Sequence, residues 1–204
     1  MPFGGLDHAW RASFELAWEA FCAGSIPVGA VVVDATGNTV AEGRNRIFES
    51  DAPRGQLADS FLAHAELNAL AGLEAVRRYG EHSLYTTLEP CALCVGAAII
   101  VMVGRVCFAS NDLYAGGSRF RLDNPHAVRR PLVVEGPLDG VVGDLGELLH
   151  VAHFLWRRPD GILVEVHRER NSRIVEVAER VDLRAAAQEG ATLDDAIDLI
   201  LGYA

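Results

Sequence analysis

The chain has 204 residues, half of them hydrophobic and 23% charged, which suits one globular domain, or one domain with an appendage, and excludes a disordered chain. No apolar run reaches the length of a membrane span, and no basic stretch followed by an apolar run opens the chain. Neither a spanning helix nor a signal peptide is therefore expected, and the expected compartment is the cytoplasm. The net charge is −10, with no lysine, and acids outnumber arginines both before and after residue 159; this excludes the overall basic footprint of a polyanion-gripping protein and leaves only a local patch open.

In chain order, Leu6, Trp10, Phe14, Ala17, Trp18 and Phe21 recur at helical spacing over residues 6–23, and Gly24 follows as a stop. Residues 26–33 form a continuous apolar run, predicted as a strand buried on both faces. A turn at 34–38 leads to a second strand at 39–43, and Asn45 sits just past its end, where a turn residue also fits. After a polar loop at 49–60, a helix is predicted from near Leu62 to before Gly80, burying Leu67, Leu70, Leu73 and Val76. Residues 83–87 read as a strand, and Pro90 fits the first position of a third helix. That helix is almost wholly apolar through Val101 and must be covered by other elements. Another strand follows at 105–109.

Residues 111–131 are irregular, mixing Tyr114, Phe120 and His126 with Arg119, Arg121, Arg129 and Arg130, which either pair with a phosphate or form a solvated face. A strand at 132–134, a helix at 145–156, a short strand at 162–166 and amphipathic pieces including 192–201 complete the chain. Alternating strands and helices predict a layered α/β domain over residues 1–158, with 159–204 as a C-terminal extension.

Of the four cysteines, Cys22 and Cys107 lie in apolar segments and read as small buried hydrophobes, which fits a reducing compartment. His150 and His153 share a helix face without a third ligand nearby and read as partly exposed. His8, His82, His126 and His167 have no partner that the sequence supplies.

Two short stretches carry the chemistry: His64-Ala65-Glu66 and Pro90-Cys91-Ala92-Leu93-Cys94. Cysteines three apart share one helix face. Near a helix N-terminus the dipole and free amides favour their thiolates. One histidine and two cysteines make three zinc ligands and leave a fourth position for water, the catalytic pattern and not the structural one. A histidine–x–glutamate with a proline–cysteine–x–x–cysteine is the pattern of zinc deaminases. Either motif alone is weak; both together, each opening a predicted helix, are specific.

With these residues the chain resembles the cytidine and deoxycytidylate deaminase superfamily, and especially the branch holding tRNA adenosine deaminases, bacterial guanine deaminases and fungal cytosine deaminase. The resemblance rests on Ile26 to Val33, Gly43-Arg44-Asn45, the two zinc motifs with Thr86 to Pro90, Gly96 to Ile99 and Gly104-Arg105-Val106, and it covers roughly residues 6–112. It implies a three-layer α/β/α sandwich around a mixed five-stranded sheet, zinc on His64, Cys91 and Cys94, and Glu66 as proton shuttle. It also implies that Asn45 contacts the base or its sugar, that the Ala65 amide orients the ring, and that the protein is a homodimer. Tyr114, Phe120 and Trp156 are candidates for stacking on a flat base, or for ordinary packing. The implied reaction is hydrolytic: zinc lowers the pKa of water toward ~7, Glu66 passes the protons, and the exocyclic amine leaves as ammonia.

Three functions follow from these residues. The leading one is deamination of a nucleobase, nucleoside or related small amino-heterocycle, favoured by the acidic balance and the extra tail. The alternative is a tRNA adenosine-to-inosine deaminase. The last is a zinc-stabilised binding module without turnover, against which Glu66 argues, since a structural site needs no such carboxylate.

Overall fold

The computed structural model describes residues 6–75, 77–119, 125–129 and 132–203, so Val76, Phe120, Arg121 and Arg130 lie outside the described residues. Five strands form one sheet: β1 (Gly29–Val33), β2 (Thr39–Arg44), β3 (Ser83–Leu88), β4 (Arg105–Ser110) and β5 (Val133–Glu135), in the order β2-β1-β3-β4-β5. β1 runs antiparallel to both of its neighbours, while β3, β4 and β5 are parallel. The sheet is mixed and five-stranded, as expected.

Helices cover both faces, and the apolar run of β1 shows why it had to be continuous. Side chains alternate along a strand. Val31 and Val33 accordingly pack with Ala9 of α1 (His8–Cys22). Ala30 and Val32 pack in the cluster of α2 (Ala65–Ala71) and α3 (Ala92–Val101). The α1 layer also holds α5 (Gly140–Arg157), which packs on β4 through Cys107 and Ala109. A short α4 (Pro125–Val128) precedes β5. The three-layer sandwich is thus present.

Helix 1 follows its sequence closely. Asp7 caps it by accepting from the Ala9 amide, the aromatic stripe is buried, and Gly24 leaves it at φ +75°. α2 is much shorter than predicted. It starts after His64, ends at Gly72, and leaves Leu67 and Leu73 half buried, with only Leu70 of the described stripe fully inside. α3 begins after Cys91, so Pro90 lies outside the helix and not at its first position. Its inner face (Cys94, Val95, Ala98, Ile99) is buried, but Leu93, Ile100 and Met102 are exposed, so the expected cover is incomplete within one chain.

α5 is longer than the predicted 145–156. Its early glycines look helix-poor, yet two of them are required by close approach: a Cβ on Gly146 would stand 2.2 Å from the Thr87 carbonyl oxygen, and one on Gly143 1.9 Å from that of Leu138. α5 lies between the sheet and the C-terminal helices, so His150 and His153 are buried and not partly exposed. Cys22, by contrast, is exposed at the end of α1, while Cys107 is buried as expected.

The predicted strand at 162–166 is helical instead. α6 (Ile162–Arg170), α7 (Ser172–Arg180), α8 (Leu183–Gln188) and α9 (Leu193–Leu201) follow α5. A short apolar run does not distinguish strand from helix. Here Leu163, Val164 and His167 turn inward at helical spacing because α6 packs on α5 and α7 and joins no sheet edge. Ile174, Val177, Leu183, Ile197 and Ile200 share one apolar cluster with Trp10, Phe14 and Leu149. Trp18 Nε1 donates to the Ala191 carbonyl at 2.8 Å across the same boundary. Among the described residues, no helix is long and apolar enough to cross a membrane.

Candidate metal centre and active site

The centre forms where two helices begin beside the C-terminal end of β3. His64 is the N-cap of α2 and Cys91 the N-cap of α3, both in extended conformation, and Cys94 lies one turn into α3. His64 Nδ1 stands 3.7 Å from Cys91 Sγ and 3.4 Å from Cys94 Sγ, and the two sulfurs are 3.6 Å apart. A tetrahedral zinc with Zn–S of ~2.3 Å and Zn–N of ~2.0 Å separates its sulfurs by about 3.8 Å and sulfur from nitrogen by about 3.5 Å. The three donors fit that ion, and the histidine would present Nδ1 to it. They are also the described residues that cluster as potential metal ligands.

The charge state suits a cation. The Cys91 thiol is pulled down to about 4 by its hydrogen bond with Cys94, against burial, and His64 assists. Cys94 is pushed up by the same Cys91 contact and by burial. The two sulfurs thus hold one proton between them, which a divalent cation would displace. His64 is raised by its contact with Cys91, against burial, with Glu66 contributing.

Glu66, on the first turn of α2, is 3% exposed and accepts a 3.3 Å hydrogen bond from Thr86 Oγ1. Burial raises its pKa, and the nearby His64 restrains the rise. Asn45 is buried just past β2. Its Oδ1 accepts from Ser25 Oγ (2.9 Å) and from the Ile47 amide (3.1 Å). That leaves the Asn45 Nδ2 donor without a partner among the described residues, and the residue lines the same cavity as His64 and Glu66. Ala65 is fully buried at the first position of α2, where an amide has no intrahelical acceptor.

These residues open into a cavity of about 340 Å³. Tyr114 lines it but is half exposed, and Phe120 lies outside the described residues. Glu89 was quoted in the sequence only as part of a motif, yet it builds the cavity's near wall. Its carboxylate accepts from the Asp112 amide (3.3 Å), the Ser118 amide (3.1 Å) and the Ser118 hydroxyl, pinning the 112–118 loop. The same loop meets the metal side closely: the Gly117 amide donates to the Pro90 carbonyl at 2.9 Å, and a Cβ there would stand 2.4 Å from Ala92 N.

The far wall went unread in the sequence. His150, Phe154 and Arg158 of α5 and the following residues, with Ile162 and Leu163 of α6, complete the cavity. The spacing of His150 and His153 was visible, but a helix face alone does not reveal which helix roofs a site.

A mixed sheet sandwiched by helices, with a histidine and two cysteines at helix ends and a buried glutamate beside them, defines a zinc-type hydrolytic deaminase. Residues 6–110 match the cytidine and deoxycytidylate deaminase zinc-binding region, and the chain belongs to that family. It is 38% identical over 130 residues to a tRNA-specific adenosine deaminase of Haemophilus influenzae, covering 61% of this chain and 70% of the relative. It is 25% identical over 116 residues to a cytosine deaminase of Candida albicans, covering 56% and 72%. Among solved structures, one from work on tRNA:A34 deaminases superposes with a TM-score of 0.53 at 25% identity, covering 64% of this chain and 91% of the other. A guanine deaminase of Nitrosomonas europaea shares the fold, with a TM-score of 0.53 at 20% identity over 72% and 83% of the two chains.

Proposed function

We propose that the protein deaminates a small amino-heterocycle (a nucleobase, nucleoside or close analogue), replacing an exocyclic amine with oxygen and releasing ammonia. One observation carries the choice of substrate class: the cavity beside Glu66 is about 340 Å³, within the range of small-molecule sites, and α5 and α6 wall it on the far side. Those helices lie beyond residues 6–110, the range matched to the family.

In this reading His64, Cys91 and Cys94 hold zinc, which when bound supplies a Lewis acid that makes water nucleophilic at neutral pH. Glu66 accepts a proton from the attacking water and passes it to the ring nitrogen beside the reacting carbon. A C–O bond forms at that carbon; Glu66 then takes the remaining proton of the added hydroxyl and hands it to the amine, so the C–N bond breaks as the C=O forms and ammonia leaves. Thr86 holds the carboxylate in place, and its raised pKa suits a group that must both take and give a proton. Asn45 Nδ2 and the Ala65 amide offer donors to the ring, and Tyr114 flanks the mouth. The bare Leu93 and Ile100 on α3 support a homodimer closed over that helix.

The second reading, a tRNA adenosine deaminase, is supported by the 38% identity to the Haemophilus influenzae protein. The net charge of −10 works against it, because binding a nucleic acid stem draws on cationic contacts to phosphates. A substrate panel tests both. Zinc-loaded protein is offered cytosine, cytidine, adenine, adenosine, guanine, guanosine, their phosphates, triazines and a tRNA anticodon stem, with Glu66→Ala as control. Ammonia release from a small heterocycle is expected; turnover of the stem alone overturns the leading reading.

A further inference from the structure

The far wall carries two polar side chains, His150 on α5 and Arg158 just past its end. His150 is 4% exposed, lines the cavity, and keeps its Nδ1 buried without a hydrogen-bond partner among the described residues. A buried unpaired nitrogen is costly, and native proteins keep few of them. His153, one turn on, also lacks partners, but it lies among aromatic rings, stacked on Phe48 at 6.2 Å, and does not line the cavity. His150 Nδ1 is itself shielded from the cavity, so the nitrogen that a ligand can reach is Nε2, for which the described residues supply no hydrogen bond.

Its surroundings keep the ring fixed and uncharged. Phe154 meets it edge-on at 5.1 Å, and His167 edge-on at 6.3 Å. The Leu163 carbonyl accepts from His167 Nδ1 at 2.8 Å, so that second imidazole is already oriented. Burial lowers the pKa of His150 to about 4, with Asp112 opposing and His167 reinforcing. With Nδ1 shielded, the neutral imidazole offers the cavity a donor or an acceptor according to its tautomer, enough to meet a carbonyl or an N–H on a heterocycle's edge. The metal ligands come from the α2–α3 layer, and His150 comes from the α5 layer across the sheet. A ring lying between the two layers presents its amine to one and another edge to the other.

We infer that His150 is a specificity-determining residue that hydrogen-bonds the substrate's polar edge away from the reacting amine, selecting amino-heterocycles that carry an N–H or carbonyl there over rings with a bare C–H edge. This rests on the small-heterocycle reading above and narrows it.

The test uses two pyrimidines that differ in that edge: cytosine, with its N1–H and C2 carbonyl, and 4-aminopyrimidine, which lacks the carbonyl and the N–H. Ammonia release is measured on zinc-loaded wild type, His150→Phe and His150→Asn, with metal content and melting temperature recorded for each. On His150→Phe, kcat/KM for cytosine is expected to fall about 10–100-fold, and at least tenfold more than for 4-aminopyrimidine. The loss should appear chiefly in KM, and His150→Asn, which keeps a donor and an acceptor, should recover part of it. Equal losses on both rings, or none, overturn the inference while leaving the deaminase reading intact; no ammonia from any small heterocycle overturns both. Should His150→Phe fail to fold, the ring nitrogens of His150 are followed by NMR in Glu66→Gln protein titrated with cytosine. A shift of those resonances supports the contact, and their constancy at saturation overturns it.

Discussion

At the scale of the residue, the proposed reaction assigns metal holding and proton transfer to different side chains. Cys91 supplies one of three donors that lie 3.4–3.7 Å apart, and its thiol is already drawn down toward the thiolate that a metal needs. Cys91→Ala is therefore expected to lose both zinc and turnover, checked by metal analysis of the purified protein beside an ammonia assay. Glu66 is not one of the three clustered ligand residues, and it is held by Thr86. Glu66→Ala is expected to retain zinc near one per chain while kcat falls by about 100-fold or more. Zinc loss in Glu66→Ala would place the carboxylate among the ligands instead. The zinc motifs were legible in the sequence because their chemistry needs particular residue types at short spacings. The availability of Asn45 Nδ2 was not, since it depends on Ser25 and the Ile47 amide claiming the other end of the side chain.

At the scale of the element, the site depends on how closely the helices approach the sheet. Gly43 on β2 lies against α2, where an added Cβ would meet Ala69 N at 2.4 Å and the Ala65 carbonyl oxygen at 2.6 Å. Backbone atoms cannot yield as a flexible side chain can, so Gly43→Ala must push α2 off the sheet. A destabilisation of about 1–3 kcal/mol is expected, seen as a melting point several degrees lower. The same displacement carries His64 and Glu66 with it, so zinc affinity should fall even though no ligand has changed. Here the sequence was informative about which elements exist and weaker about where they stop. α2 stops at Gly72, far short of the predicted end, and α5 runs through glycines that look like breakers. The burial of His150 and His153 was missed for the same reason: periodicity identifies a helix, but not how many sides of it are covered.

At the scale of the whole molecule, the C-terminal helices bury two histidines in uncharged form, and this links stability to pH. His150 and His153 are lowered from 6.5 to about 4 and about 3, in both cases mainly by burial. For His153, neighbouring His150 and Arg157 add to the effect; for His150, Asp112 opposes it. Below pH 6.5 the unfolded chain takes up protons that the folded one refuses, so the slope of stability against pH is positive there. Stability should be fully present above about pH 6.5 and decline as pH falls toward 4. In His153→Phe, which keeps an aromatic ring beside Phe21 and Phe48, that decline should be shallower, as read from melting temperatures at matched pH values. Loss of zinc in acid affects both proteins alike, so the difference between them reports His153.

By itself, the sequence determined the chemistry and the sandwich. Zinc ligation and proton transfer require specific side chains at fixed offsets, and strands or helices of an ordinary core announce themselves by period. Only the tertiary structure decided the cavity. Its far wall comes from residues far beyond the metal ligands in the chain, in a segment whose short apolar run reads equally as strand or helix. α6 became a helix because α5 and α7 were there to receive Leu163, Val164 and His167. Packing of that kind is a property of distant parts meeting, and no local pattern in the chain encodes which parts will meet.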